Sequence, residues 1–217
     1  MISKLQYISQ GDSPKDHLDN ITNACRSGAD WVQLRLKNLE YETLLKTAEK
    51  AREITNHYQA RFILNDHYKI AKVVNADGVH LGKTDACPIE ARKHLYSWQL
   101  VGGTANTSQD CKKLIGKDVD YIGLGPFRFT NTKHNLSPIL GLNGYINLLQ
   151  SLRIEIPIIA IGGITLNDVS VIIKTGVYGI AVSQEITQDF NQIKSFQKLL
   201  GISKLQEDLW NTNQNSI

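Results

Sequence analysis

The sequence predicts an α/β fold, a (β/α)8 TIM barrel in a single domain, on three observations. Short apolar runs alternate with helical patterns along the chain without interruption. A recurring join, in which a helix stop leads within a few residues into an apolar run, links one unit to the next. Polar clusters fall where predicted strands run out, and a barrel of this type gathers its chemistry at the carboxyl ends of its strands. Eight strands with eight helices also make closure more economical than an open sheet, which would leave two edges to protect.

The expected strands are Leu5–Ser9, Trp31–Leu36, Arg61–Leu64, Gly78–Leu81, Gln99–Gly102, Asp120–Leu124, Ile156–Ile161 and Tyr178–Val182. Between the first two, Ser13 can cap a helix with Pro14 at its first position and Gly28 just past its end, with Leu18, Ile21 and Cys25 on one face. Tyr41, Leu44, Leu45, Ala48 and Ala51 give the next helix the same spacing. Gly28-Ala29-Asp30, Asn75-Ala76-Asp77-Gly78, Lys117-Asp118-Val119-Asp120 and Thr175-Gly176-Val177-Tyr178-Gly179 read as helix stops feeding new strands. Thr165 with Asp168 reads as a capping pair for the helix after the seventh strand. The barrel is expected over residues 1–210, and the polar stretch from Asn211 to the end at Ile217 as a frayed tail.

Composition bounds the function classes. At 217 residues the chain fits one barrel, since such domains commonly need about 200–250. A net charge of +3, from 24 basic and 21 acidic residues, is too balanced to imply nucleic acid or a membrane surface. Cys25, Cys87 and Cys111 show no metal-ligand spacing and cannot all pair. With no leader segment and no apolar run near the ~18 residues of a membrane span, a reducing cytoplasm is the expectation. The sequence leaves a homo-oligomer open.

The polar clusters define a candidate site. In Trp31-Val32-Gln33-Leu34-Arg35-Leu36-Lys37, alternation puts Val32, Leu34 and Leu36 on one strand face and Gln33, Arg35 and Lys37 on the other. Two cations and an amide suit a bound anion. Asn65-Asp66 ends the third strand and Asp85 follows the fourth, so neighbouring strands would bring both carboxylates to one rim. Beside Arg35 and Lys37 this pair suggests Mg²⁺ bridging a polyphosphate, a hard cation on oxygen ligands; alternatively, each aspartate caps the helix that follows it. Gly162-Gly163 after the seventh strand and Ser183 after the eighth fit a phosphate seat, though a tight strand-to-helix turn also calls for glycine. His80 reads as a satisfied core group, and His67 and His134 flank site residues with no required role.

Gln33-Leu34-Arg35-Leu36-Lys37, Asn65-Asp66, Ala76-Asp77-Gly78-Val79-His80-Leu81-Gly82, Asp120-Tyr121-Ile122-Gly123-Leu124-Gly125-Pro126, Thr132-Lys133 and Ala160-Ile161-Gly162-Gly163-Ile164 together resemble the thiamine-phosphate synthase family. The resemblance spans strands two to eight. It implies an enzyme that joins hydroxymethylpyrimidine diphosphate to hydroxyethylthiazole phosphate and releases diphosphate. It further implies that Gln33, Arg35, Lys37 and Asn65 hold the pyrimidine diphosphate, with Asp66 and Asp85 on Mg²⁺. Thr104 stands where the family usually has serine beside the pyrimidine. Thr130 and Thr132 would contact the thiazole phosphate and Lys133 the diphosphate, with Gly163, Val182 and Ser183 completing the phosphate cradle. The family loop is often Pro-Thr-Pro-Thr-Lys, and here Phe129 and Asn131 replace the prolines. Tyr7 either borders the pyrimidine or belongs to the core.

Other readings use the same scaffold. A thiazole tautomerase would keep the phosphate cradle but has no use for a metal and diphosphate site. A sugar-phosphate epimerase needs an acid and a base facing each other across the sugar, and no convincing pair stands out. A non-catalytic thiamine-precursor sensor would be expected to lack part of the site, and nothing in it is missing.

Overall fold

The computed structural model describes residues 2–130, 138–152 and 155–202. Eight parallel strands pair in sequence order and the eighth returns to the first, closing the barrel. They are β1 (Leu5–Ile8), β2 (Trp31–Leu34), β3 (Arg61–Asn65), β4 (Gly78–Leu81), β5 (Leu100–Ala105), β6 (Tyr121–Leu124), β7 (Ile158–Ile161) and β8 (Gly179–Val182). All eight expected strands form, with boundaries moved by a few residues at most. β2 ends at Leu34, so Arg35 and Lys37 stand just beyond the ladder. β5 starts later than expected and runs on to Ala105, which takes Thr104 into the strand.

The helices are α1 (Pro14–Arg26), α2 (Tyr41–His57), α3 (Tyr68–Val73), α4 (Pro88–His94), α5 (Ser108–Ile115), α6 (Gly141–Ser151), α7 (Val169–Ile173), α8 (Gln184–Gln188) and α9 (Gln192–Leu199). The unit after β8 carries two short helices in place of the single one expected, broken at Asp189, whose backbone is extended. The helix stops are as expected: Gly28, Asn75, Asp118 and Gly176 all have positive φ, the left-handed turn that ends a helix. α1 opens with the Ser13 cap, Pro14 and a reciprocal bond to Asp16. In α2, Leu44, Ala48 and Ala51 are buried as expected, but Tyr41 at the first turn is exposed.

Two aspartates of the recurring join do structural work. Asp77 accepts from the Phe62 N–H at 2.7 Å and pairs with Arg52 of α2 at 2.5 Å. Asp120 accepts from the Val101 N–H at 2.6 Å and pairs with Arg92 of α4 at 2.5 Å. Each carboxylate thereby ties a helix to the amino end of the preceding strand.

Strand alternation divides the core in two. Val32, Phe62, Val79, Val101, Ile122 and Ile180 face the helices in the larger layer. Ile8, Trp31, Ile63, Tyr121, Ile159 and Ala181 fill the lumen. Glycines admit the large lumen side chains: a Cβ on Gly102 would lie 2.2 Å from the Tyr121 ring, and one on Gly123 would lie 2.9 Å from the His80 ring. No helix among the described residues is long and apolar enough to cross a membrane. Asn211 to Ile217, expected as a frayed tail, lie outside the described residues.

Candidate active site

The carboxyl ends of β2, β3 and β4 assemble the polar side chains into one group. Gln33 and Asn65 project from the lumen face, and the Gln33 amide donates to the Asn65 carbonyl at 2.8 Å. Asn65 is buried and its own amide nitrogen has no hydrogen-bond partner among the described residues. An unpaired buried donor is costly, so this N–H₂ has capacity for a ligand acceptor. The Lys37 ammonium lies 3.4 Å from the Asp66 carboxylate. Arg35 is positioned by its backbone, whose N–H donates to the Ser9 hydroxyl at 3.2 Å. Ser9 in turn bonds His17 of α1 at 2.7 Å, so β1 and α1 help place the first turn after β2. The sequence marks neither Ser9 nor His17 as a site residue, because Ser9 acts on Arg35, distant in the chain, and His17 acts only through Ser9.

Asp66 and Asp85 do not cap helices. The residue at the cap position of α3 is His67 and that of α4 is Cys87. Asp66 has φ of 64° and its N–H donates to the His80 carbonyl, so its turn breaks away from β3 toward β4. The Asp85 carboxylate folds back to accept from the Gly82 N–H at 2.7 Å. The two carboxyl groups are close enough to perturb each other's titration. Burial, then the nearby Asp85 carboxyl, push the Asp66 carboxyl up to about 6, against the pull of Lys37. Asp85 is also raised by burial, but the influence of Asp66 and the bond from the Gly82 N–H outweigh this and hold it below the ordinary range. Two carboxyls competing for one proton, beside a lysine, form a hard oxygen set that a divalent cation would satisfy.

Thr104 reaches the same lumen from β5. His80 holds it: Nε2 lies 2.9 Å from the Thr104 hydroxyl, and Nδ1 lies 3.1 Å from the Tyr121 hydroxyl. Both ring nitrogens are therefore used, as a satisfied core histidine requires, and one of them orients a candidate substrate contact. Tyr7 belongs to the core. It is fully buried on the helix-facing side, bonds Thr187 of α8 at 2.8 Å, and meets Phe190 edge-on. Burial pushes its phenol up to about 12.

On the far side of the mouth, Gly162 and Gly163 have φ of 102° and 63°. Cβ atoms there would lie 2.7 Å from Pro126 and from the Phe129 carbonyl oxygen, so the loop after β6 packs directly on this turn. Thr165 and Asp168 form the expected capping pair, with the Thr165 N–H and hydroxyl both 2.8 Å from Asp168. Arg128, unmarked in the sequence, makes a two-pronged bond to that same carboxylate at 2.8 Å on each prong. The Ser183 hydroxyl is 3.2 Å from the Gln10 side-chain carbonyl. Val182 points outward into the helix-facing core, so only its backbone can serve a ligand. Thr130 ends the described part of the β6 loop; Thr132, Lys133 and His134 lie outside the described residues.

The chain that carries this arrangement has similar counterparts among known proteins. The family model described as thiamine monophosphate synthase matches residues 5–186. The chain belongs to the thiamine monophosphate synthase family. Within that family, it is 47% identical over 213 residues to a thiamine-phosphate synthase of Flavobacterium johnsoniae, covering 97% of this chain and 98% of that one. It is 41% identical over 201 residues to a thiamine-phosphate synthase of Bacteroides fragilis, covering 91% of this chain and 98% of the relative. Among solved structures, thiamine phosphate pyrophosphorylase from Pyrococcus furiosus superposes with a TM-score of 0.75 at 26% identity, covering 91% of this chain and 97% of that one.

Proposed function

We propose that this chain condenses 4-amino-2-methyl-5-hydroxymethylpyrimidine diphosphate with hydroxyethylthiazole phosphate, giving thiamine phosphate and diphosphate. The observation that carries the reading is the convergence of Lys37, Asp66 and Asp85 next to the Asn65 amide, which has no partner among the described residues, with a glycine turn across the mouth. A tautomerase would have no use for the first half of that arrangement.

In this reading the pyrimidine ring lies against Gln33, Asn65 and Thr104. The carbon–oxygen bond to the diphosphate breaks with its electron pair leaving on oxygen, and the pyrimidine stabilises the cation left behind. The thiazole ring nitrogen then donates its lone pair to that carbon, and no proton need move. The protein's work is to hold the two partners in line and to stabilise the departing negative charge. Arg35, Lys37 and Lys133 supply positive charge to the leaving group. Asp66 and Asp85 would hold a Mg²⁺, which when bound neutralises diphosphate oxygens. Gly163, the Val182 backbone and Ser183 would seat the thiazole phosphate, with Thr130 and Thr132 closing on it. A nucleophilic side chain is not needed, which agrees with the buried, inert character of Cys25 and Cys111.

The test is direct. The protein incubated with both substrates and Mg²⁺ should produce thiamine phosphate and diphosphate in equal amounts; conversion of a thiazole precursor alone, without diphosphate, would establish the isomerase instead.

A further inference from the structure

Arg128 lies outside the rim just described, yet it grips the glycine turn from two directions. Its backbone N–H donates to the Gly162 carbonyl at 2.9 Å, one residue after the Phe127 N–H donates to the Ile161 carbonyl at 2.9 Å. Its guanidinium forks onto Asp168 at 2.8 Å on both prongs, and Nη1 also reaches the Gly163 carbonyl at 3.0 Å. Asp168 is buried and already carries the Thr165 N–H and hydroxyl. One side chain therefore joins the start of the β6 loop, the turn after β7 and the start of the next helix.

In a trans peptide the N–H points away from the carbonyl. With the Gly162 and Gly163 carbonyls both held by Arg128, the Gly163 and Ile164 N–H groups are aimed away from the Arg128 loop. Neither donates to a backbone carbonyl among the described residues. Consecutive N–H groups presented together form a concave seat for an anion. We infer that Arg128 is a positioning residue for the thiazole phosphate, acting through the orientation of the Gly162–Gly163 and Gly163–Ile164 peptides. This rests on the proposed assignment of the glycine turn to that phosphate. Lysine cannot replace the residue, because it lacks the planar fork that spans Asp168 and Gly163 together.

The experiment compares wild type, Arg128→Lys and Asp168→Asn by steady-state kinetics, and by calorimetric binding of hydroxyethylthiazole phosphate alone. Both variants should raise KM for the thiazole phosphate by about tenfold or more while KM for the pyrimidine diphosphate changes by less than about twofold. Binding of the thiazole phosphate should weaken by a similar factor. A general structural defect would raise both KM values together, and that result, or unaltered thiazole phosphate affinity in Arg128→Lys, would overturn the assignment. Wild type that binds thiazole phosphate but forms no product would sink the proposed reaction; the binding comparison would still decide the role of Arg128.

Discussion

Lys37 lies 3.4 Å from the Asp66 carboxylate, and the carboxyl group of Asp85, beyond the neighbouring strand, is near enough for its charge to act on Asp66. With no cation bound, this carboxyl pair opposes folding near neutral pH. The Asp66 carboxyl, at about 6 in the folded chain, lies above its ordinary 3.8. Between those values the folded protein retains a proton that the unfolded chain has lost, so stability falls as pH rises through the window and levels off above it. Asp66→Asn should therefore stabilise the metal-free protein at pH 7, by about 1 kcal/mol or roughly 2–4 °C in Tm once partial exposure is discounted. The measurement is Tm in chelator at pH 4, 5, 6 and 7. A variant no more stable than wild type at pH 7 would refute the strained pair.

The same pair should make the enzyme metal-dependent. Activity should vanish in chelator and return with Mg²⁺, and Mg²⁺ affinity should fall about tenfold per pH unit below pH 6 as Asp66 takes up its proton. Asp66→Asn or Asp85→Asn should lower kcat/KM roughly a hundredfold or more without loss of fold. Full turnover in excess chelator would defeat the assignment.

Lys37 and Lys133 are expected to act as charge develops on the leaving group. Alanine at either position should slow diphosphate release by about a hundred- to a thousandfold under saturating substrates, while thiazole phosphate binding survives. Unchanged rates in both variants would rule out the proposed mechanism.

The contact between His80 and Thr104 makes a separable prediction. Thr104→Ser keeps the hydroxyl 2.9 Å from Nε2 and should retain activity within a few-fold. Thr104→Val leaves that buried nitrogen facing a methyl group, and should cost roughly 1–3 kcal/mol in stability and about tenfold in kcat/KM for the pyrimidine diphosphate. Equal behaviour of the two variants would show that the hydroxyl is idle.

At Gly162, alanine would place a methyl 2.7 Å from Pro126 on a backbone with φ of 102°. A loss of roughly 2 kcal/mol or more is expected, with a raised KM for the thiazole phosphate. Denaturant unfolding that matches wild type would contradict the close packing of the β6 loop on this turn.

The sequence by itself determined what neighbours along the chain can settle. Alternation in Trp31 to Leu34, the capping pairs at Ser13 and Thr165, and the left-handed stops at Gly28, Asn75, Asp118 and Gly176 depend on contacts within a few residues, and all formed as read. The resemblance carried by the strand-end motifs also named the family before any geometry. The tertiary structure alone decided which way the ambiguous residues turned. Asp66 and Asp85 could have capped helices until the β3–β4 register brought them near each other, Tyr7 could have lined the lumen until its strand's register turned it toward α8, and Val182 turned outward for the same reason. Arg128 carried no local signal at all, since its partner Asp168 lies 40 residues further along the chain. Such pairings arise only when the barrel closes, because closure fixes which strand ends are neighbours and which face of each strand looks inward.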